Sequence, residues 1–230
     1  MFKAIAIASF ASSVLLFAGS ANAMIINGDF EDVATLDPTG QVKGNQLSNL
    51  ATTGSSWDVF DKISGWKTTS GAGIEVQTNR TLGSIDAHSG QHYIELDSHP
   101  RSNSNSSMAQ DVSLDAGTYA LSFWYSPRTG NADSNRINYS VSDGLLSGFI
   151  TGPGTSPATS VGSWTLVRSL FQVQTAGDYT LTFAAAGEQD SYGGLIDTVK
   201  LTAVPIPAAG LLLPVGLGLL GYASRRRKAS

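Results

Sequence analysis

The chain has 230 residues, of which 41% are apolar and 14% charged, enough to build one domain with a sizeable core. It contains no cysteine, which excludes a disulfide scaffold and a thiolate zinc site. Residues 24–202 carry nine Lys/Arg against eighteen Asp/Glu, a net charge of −9, and such an acidic domain repels nucleic acid and attracts divalent cations.

The first 23 residues have the pattern of a secretory signal peptide. Lys3 supplies the positive start, an apolar run covers residues 4–18, and Ala21 and Ala23 are small residues where a signal peptidase cleaves. We therefore expect the mature chain to begin at Met24, outside the cytoplasm. An uncleaved membrane anchor is the alternative, although the apolar run is short for a membrane span.

Residues 24–202 predict an all-β domain, because apolar and polar residues alternate with a period of two. The alternation is clear in residues 119–123 and 179–183, and abundant Gly, Ser and Asn indicate many turns. Two facing sheets would bury the Leu and Phe rows, so we expect an antiparallel jelly-roll β-sandwich. Further strands are predicted at 74–78, 92–97, 136–142, 163–167 and 195–201.

One sequence unit, Ala-Gly-x-Tyr-x-Leu-x-Phe, occurs twice, beginning at Ala116 and again at Ala176. Each copy follows another alternating stretch, residues 110–114 in the first case and 170–174 in the second. We therefore predict that each copy forms a β-hairpin with the stretch before it. Long polar loops are predicted at 40–56, 98–107 and 151–162.

Strand parity predicts which side chains face solvent, because successive residues of a strand point to opposite faces of the sheet. If Leu121 and Phe123 face the core, Trp124 faces outward, where an indole can stack on the apolar face of a sugar ring. Burial of Trp124 under a neighbouring loop is the alternative. Carboxylates, an arginine and an amide near the strand ends would orient the sugar hydroxyls. The candidate ligand-binding residues are Trp124, Tyr125, Arg128, Glu95, Asp97 and Asn135.

The sequence gives little support for catalysis or for a transition-metal site. His88, His92 and His99 lack the helical spacing of a zinc protease, and there is no nucleophile elbow and no phosphate-binding glycine loop. Glu95 and Asp97 share one strand face about 6.7 Å apart at Cα, so a glycosidase pair is an alternative. We expect a binding protein rather than an enzyme.

Residues 203–223 carry no charge and are long enough to cross a membrane. In helical form these 21 residues span about 31 Å, close to the hydrocarbon thickness of a bilayer. A basic cluster follows directly and is expected to stay in the cytoplasm, which leaves the acidic domain outside. The cluster consists of Arg225, Arg226, Arg227 and Lys228.

The tail opens with a proline motif, formed by Val204, Pro205, Ile206, Pro207 and Ala208. This order of motif, apolar run and basic end resembles the VPLPA variant of the PEP-CTERM sorting signals of Gram-negative bacteria, with Ile206 in place of the usual leucine. The resemblance implies an exosortase-type transpeptidase as partner. It also implies a precursor at the outer face of the inner membrane and a final location at the cell surface or in the matrix. An ordinary single-span anchor is the alternative.

Short motifs of the middle segment occur in a recognisable order: 27–31, 65–66, 73–77, 89–97, 110–112, 126–128 and 193–201. Together they resemble the galactose-binding-like jelly rolls that serve as carbohydrate-binding modules and as ectodomains of many PEP-CTERM proteins. The resemblance implies this fold and a tendency to bind glycans, without naming the ligand.

Glu31 and Asp197 are candidate ligands of one structural Ca²⁺. They lie near opposite ends of the domain, and the first and last strands of a jelly roll can lie side by side, so both carboxylates could meet with backbone carbonyls. In modules of the resembled type an equivalent calcium is structural, although Thr198 stands where many carry a second Asp or Asn. Carboxylates that only cap turns or meet solvent are the alternative.

The sequence thus predicts an exported, exosortase-sorted cell-surface protein whose jelly-roll domain binds envelope or extracellular polysaccharide, within a biofilm matrix. A structural matrix or adhesion protein without a sugar site, which contacts other proteins by strand edges or loops, is the first alternative. A glycoside hydrolase is the second.

Overall fold

The computed structural model describes residues 25–32, 50, 56–99, 104–152 and 160–205. The predicted signal peptide, the tail from residue 206 onward and parts of the three predicted loops lie outside these residues. In the described part of the chain, no helix has the length and apolar character of a membrane span.

Within the described residues the chain forms twelve strands, all paired antiparallel. They are β1 (Trp57–Phe60), β2 (Lys62–Ile63), β3 (Trp66–Ser70), β4 (Ile74–Thr78), β5 (His92–Glu95), β6 (Ser107–Leu114), β7 (Gly117–Ser126), β8 (Ile137–Val141), β9 (Leu146–Ile150), β10 (Thr165–Val173), β11 (Gly177–Ala185) and β12 (Leu195–Ala203).

The strands form two sheets with jelly-roll topology, as predicted. Sheet A has the order β1-β4-β5-β12-β7-β10, and sheet B has the order β2-β3-β6-β11-β8-β9. Numbered from one to eight, β5 to β12 take the order 1-8-3-6 in sheet A and 2-7-4-5 in sheet B, which is the double Greek key of a jelly roll. β1 to β4 extend the two sheets on one side.

One core lies between the sheets. Leu121 and Phe123 on β7 and Leu181 and Phe183 on β11 are almost completely buried, and burial of each such side chain contributes about 1.5–3 kcal/mol. The rings of Phe123 and Phe183 meet edge to face, with centroids 4.9 Å apart. The predicted parity of β7 is confirmed, because Trp124 is partly exposed on the outer face of sheet A.

The two predicted hairpins are wrong. β6 and β7 lie in different sheets, and so do β10 and β11; instead β6 pairs with β11, and β7 pairs with β10. The two copies of the repeated unit therefore pair with each other. Each Ala-Gly turn carries the chain across the sandwich, so the apolar rows of its two arms face each other through the core. The predicted strands at 163–167 and 170–174 are parts of the single strand β10.

At each of these crossings, a tyrosine hydroxyl forms a hydrogen bond to the backbone of the turn. The hydroxyl of Tyr119 donates a hydrogen bond to the backbone carbonyl of Asp115 at 3.1 Å, and that of Tyr179 donates to the carbonyl of Thr175 at 2.6 Å. Both acceptors lie four residues before the tyrosine. The same local bond thus holds the same crossing in both copies of the unit.

Loops cover part of the outer face of sheet A. Ile85, from the loop between β4 and β5, packs with Tyr93 and Leu195 in a small second cluster, against which Trp164 also packs. The indole N–H of Trp164 donates to the backbone carbonyl of Asp86 at 2.8 Å. Among the described residues, these contacts leave the outer face uncovered mainly along β7, β10 and the second half of β12.

Candidate functional site

Trp124 lies on the outer face of sheet A, directly between Leu166 on β10 and Asp197 on β12. Its indole is partly exposed and stacks on the imidazole of His88, with ring centroids 3.9 Å apart and planes 16° apart. The Nδ1 atom of His88 lies 2.9 Å from the hydroxyl of Thr198, which fixes the imidazole over the indole. Burial, and secondly the charge of Lys200, lowers the pKa of His88, so it stacks as a neutral ring.

Two cations lie beside Trp124 on the same face. Ser122, two residues before Trp124, is opposite both Arg168 on β10 and Lys200 on β12. Both cations are exposed, and neither forms an ion pair or hydrogen bond with the part of the chain that the structure describes. We call this surface the Trp124 face; it comprises Ser122, Trp124, Leu166, Arg168, Leu170 and Lys200.

Two leucines complete the Trp124 face. Leu166 is 51% exposed and Leu170 is 60% exposed, which is high for leucines in the middle of a strand. They alternate with Arg168 along β10, so apolar and charged groups follow each other on one flat surface. Such a surface offers both van der Waals contact and hydrogen-bond donors to a ligand.

Glu95 and Arg128, two predicted ligand groups, pair with each other beneath loops. Glu95 is completely buried, and Nη1 of Arg128 lies 2.5 and 2.6 Å from its two carboxylate oxygens. Arg128 also donates to the carbonyl of Ser191 at 2.6 Å, and the amide of Gly193 donates to Glu95 at 2.7 Å. These contacts attach the segment before β12 to the end of sheet A.

A second carboxylate lies next to Glu95. Glu75 on β4 is its direct cross-strand neighbour and is also buried, and Nε2 of Gln77 donates to Glu75 at 2.7 Å and to Glu95 at 2.5 Å. Burial, and secondly the charge of Glu75, raises the pKa of Glu95 well above its ordinary value, against the opposing effect of Arg128. Glu95 therefore retains a proton at pH values where an exposed glutamate has lost it.

Asp97, Tyr125 and Asn135 are also fully buried. Asp97 accepts hydrogen bonds from the amides of Asp190 and Tyr192, at 3.2 and 3.0 Å. Tyr125 faces the core and donates its hydroxyl to the carbonyl of Asn135 at 2.9 Å. The Asn135 side chain in turn ties loops together, accepting from the amide of Arg128 at 2.9 Å. A ligand would reach these three side chains only if the loops opened. Of the six predicted ligand residues, Trp124 and Arg128 are partly exposed, and the guanidinium of Arg128 is already bound to Glu95.

Glu31 and Asp197 both bind the segment that leads into β5. Asp197 accepts from the amide of Ser89 at 2.9 Å, and Glu31 accepts from the amides of Gln91 and His92 at 2.7 Å. Burial raises the pKa of Asp197 to about 7, and the negative charge of Glu31 adds to this increase. The charge of Glu31 thus acts on Asp197.

The described residues contain no group of three or more His, Cys, Asp or Glu side chains arranged to hold a metal ion. The three histidines lie in separate surroundings: His88 stacks on Trp124, His92 contacts Glu31, and His99 stacks on Trp57. Any hard cation at Glu31 and Asp197 would therefore also need oxygen ligands from the backbone.

No protein-family model matches the sequence, and no curated protein matches it. Among solved structures, a family 61 carbohydrate-binding module in complex with β-1,4-galactotriose aligns with 80% of this chain and 100% of its own length, at 23% identity and a TM-score of 0.42. A module of Cellvibrio mixtus lichenase 5A in complex with cellotriose covers 60% of this chain and 92% of its own, at 14% identity and TM-score 0.38.

A family 35 module from Clostridium thermocellum covers 60% of this chain and 98% of its own length, at 12% identity and TM-score 0.39. These are folds that the chain resembles; its jelly-roll topology follows from its own strand order.

Several residues of these sites were not singled out by the sequence pattern. His88 is the stacking partner of Trp124, Arg168 and Lys200 flank it, and Glu75 and Gln77 complete the buried cluster. Parity within the predicted strands could have placed Lys200 outward, because Val199 and Leu201 beside it are apolar. No local signal identifies His88, which reaches Trp124 from a loop.

Proposed function

We propose that this chain is an exported cell-surface protein, sorted by an exosortase-type transpeptidase, and that its domain binds envelope or extracellular polysaccharide through the Trp124 face. The observation that supports the binding role most directly is the partly exposed indole of Trp124 on the outer face of sheet A, fixed by His88.

A sugar ring presents an apolar face of C–H groups and a rim of hydroxyls, so it needs a flat apolar contact and nearby hydrogen-bonding groups. Trp124 and Leu166, which are cross-strand neighbours, supply the apolar contact. The polar groups come from the next outward-facing residues of the same three strands, which are Ser122, Arg168 and Lys200. Because strands rather than loops carry these residues, their spacing is fixed before a ligand arrives.

This proposal is tested by affinity electrophoresis of the full chain in mild detergent, through gels that contain matrix polysaccharides. We expect Trp124→Ala to weaken binding by about tenfold or more, as for loss of a central aromatic contact. Phe149→Ala is the matched control, because Phe149 is exposed on the outer face of sheet B. Concentration-dependent self-association with no polysaccharide binding would instead favour the structural matrix protein.

The position of the proline motif supports the proposed sorting. β12 ends at Ala203, the amide of Val204 still donates to the carbonyl of Thr118 at 2.8 Å, and Pro205 is exposed. The motif thus begins directly after β12, so cleavage within it would leave this strand intact. Fractionation with mass spectrometry should find a mature amino terminus at Met24 and no intact precursor in the cytoplasm; an uncut cytoplasmic chain would contradict the proposal.

We propose further that the domain binds polysaccharide without cleaving it. The direct neighbour of Glu95 is Glu75, whereas Asp97 belongs to a separate set of contacts, and all three carboxylates are buried. A glycosidase needs both of its carboxylates at the scissile bond. Reducing ends should therefore not accumulate on a bound polysaccharide. Their release by the wild type but not by Glu95→Gln would show that the domain is an enzyme.

We also propose that Glu31 and Asp197 hold one structural Ca²⁺. Two carboxylates, one of them fully buried, suit a hard cation in type. A divalent ion would offset the burial of the Asp197 charge, the main cause of its raised pKa, and also the smaller repulsion from Glu31. The ion would link the start of the domain to its last strand and so stabilise the native state.

A further inference from the structure

We infer that the polysaccharide bound by the Trp124 face is anionic, and that Arg168 and Lys200 bind its acidic groups. This inference rests on the proposed function and names the class of its ligand.

The Trp124 face is basic although the domain is acidic. Residues 24–202 have a net charge of −9, yet the one acidic residue of β7, β10 and β12 is Asp197, which is fully buried. Arg168 and Lys200 are both exposed and lie on either side of Ser122, about 10 Å apart by the spacing of strands. Two like charges at this spacing repel each other only weakly in water, but an anion between them would be attracted to both.

Three other cations of the described domain have partners, whereas the exposed Arg80, on the loop after β4, has none among the described residues. Lys67 lies 3.0 Å from Asp111, Arg128 is bound to Glu95, and Arg136 lies over the ring of Phe149 at 4.1 Å. Arg168 and Lys200 have neither an ion pair nor a hydrogen bond with the described residues. Both side chains are exposed, so charged groups of a ligand can contact them.

The arrangement fits an extended polymer. Leu166 and Leu170 are four residues apart on β10, about 13 Å at the rise of a strand, and Arg168 lies between them. Apolar and cationic groups thus alternate along a straight line, as the ring faces and carboxylates of an acidic polysaccharide do. Trp124 adds a ring-sized contact beside this line.

The test compares acidic polysaccharides with neutral forms of the same polymers. The full chain is titrated in mild detergent at low and at high NaCl concentration. The polymers are polygalacturonate, alginate and hyaluronate, each compared with its methyl ester. The double variant Arg168→Gln/Lys200→Gln removes both cations, and Lys67→Gln removes one exposed cation from the outer face of sheet B as the matched control. Trp124→Ala and vesicles containing phosphatidylglycerol complete the set.

We expect at least one acid form to bind more tightly than its ester, on the order of tenfold, because two exposed charge contacts are lost in the ester. The preference should disappear in the double variant and at high salt, and remain in Lys67→Gln. A preference that survives in the double variant would overturn the inference, and so would binding of the vesicles in place of the polymers. Equal binding of acid and ester, lost in Trp124→Ala, would overturn the inference while the proposed function stands. Binding of no polymer would remove both.

Discussion

Glu75 on β4 and Glu95 on β5 lie directly opposite each other, both buried, and the side-chain amide of Gln77 donates a hydrogen bond to each carboxylate. Arg128 is close to Glu95 and compensates one negative charge. Two ionised carboxylates in such a place would repel each other at short range in a medium of low dielectric constant. The pair of Glu75 and Glu95 is therefore most stable when one of the two carboxyl groups carries a proton.

The stability of the fold should depend on pH through Glu95. Its folded pKa is raised above the unfolded value of about 4.3, so the native state binds more protons than the unfolded state above that pH. The contribution of Glu95 is thus fully present below the unfolded pKa and is lost as pH rises through the folded pKa. We therefore expect Glu95→Gln to lower the free energy of unfolding most at pH 4.5 and progressively less towards pH 8.5. Urea unfolding over this pH range measures the effect.

Asp111→Asn is the control for this experiment. The hydrogen bond from Lys67 lowers the pKa of Asp111, so its contribution is present above the unfolded pKa and is lost as pH falls. The effect of Asp111→Asn on the free energy of unfolding should therefore be small, since the residue is exposed, and nearly constant from pH 4.5 to 8.5, because this range lies above the unfolded pKa. A cost of Glu95→Gln that stays constant with pH would show that Glu95 is ionised in the native state throughout the range.

The tyrosines at the two crossings should contribute to stability through their hydroxyls. Tyr119→Phe removes the hydrogen bond to Asp115 and should lower the free energy of unfolding by about 1 kcal/mol, as measured by urea unfolding. Tyr179→Phe should cost less, because its hydrogen bond to Thr175 is solvent-exposed. An unchanged unfolding midpoint in Tyr119→Phe would mean that the crossing does not need this bond.

The inner and outer faces of sheet A should respond very differently to truncation. Phe123→Ala leaves a cavity beside Phe183 and should cost about 3–5 kcal/mol in urea unfolding. Leu170→Ala lies on the outer face and should change stability by about 0.5 kcal/mol or less. A large cost for Leu170→Ala would indicate that another part of the chain covers the Trp124 face.

Removal of calcium should lower the melting temperature of the full chain. Native-state binding that contributes a few kcal/mol corresponds to a shift of roughly several degrees in a domain of this size. In each of the variants Glu31→Gln and Asp197→Asn, a chelator should leave the melting temperature unchanged. Glu188→Gln, at an exposed acid elsewhere, should keep the response of the wild type. A wild-type melting curve that a chelator leaves unchanged would remove the proposed ion.

Local alternation was sufficient to predict the inner and outer faces of β7, because strand parity depends only on the next residues in the chain. It was not sufficient for pairing. The arms of the repeated unit look like hairpins, but pairing β6 with β11 brings together segments that are far apart in the sequence. Asp143-Gly144, a true hairpin signal, does lie between β8 and β9, and both residues have positive φ.

The burial of the predicted ligand residues could not be read from the strands that carry them. Glu95 points outward from the core of sheet A, as parity predicts, yet Gly193 and Arg128 cover it from distant parts of the chain. A Cβ on Gly193 would lie 2.5 Å from the Cβ of Asp97, so a glycine is required for the loop to approach so closely. Which outward face stays open is decided by such loops, and the alternating pattern carries no information about them.

The last strand determines how the domain would bear tension. β12 lies inside sheet A between β5 and β7 and pairs with β7 at seven residues, with a register shift between Asp197 and Lys200; Pro205 lies two residues beyond its end. A pull directed along β12 would load its cross-strand bonds together in shear, and these bonds lie on both sides of the strand, whereas an edge strand has them on one side only. A domain tethered beyond this point would therefore be held through an inner strand of its sheet.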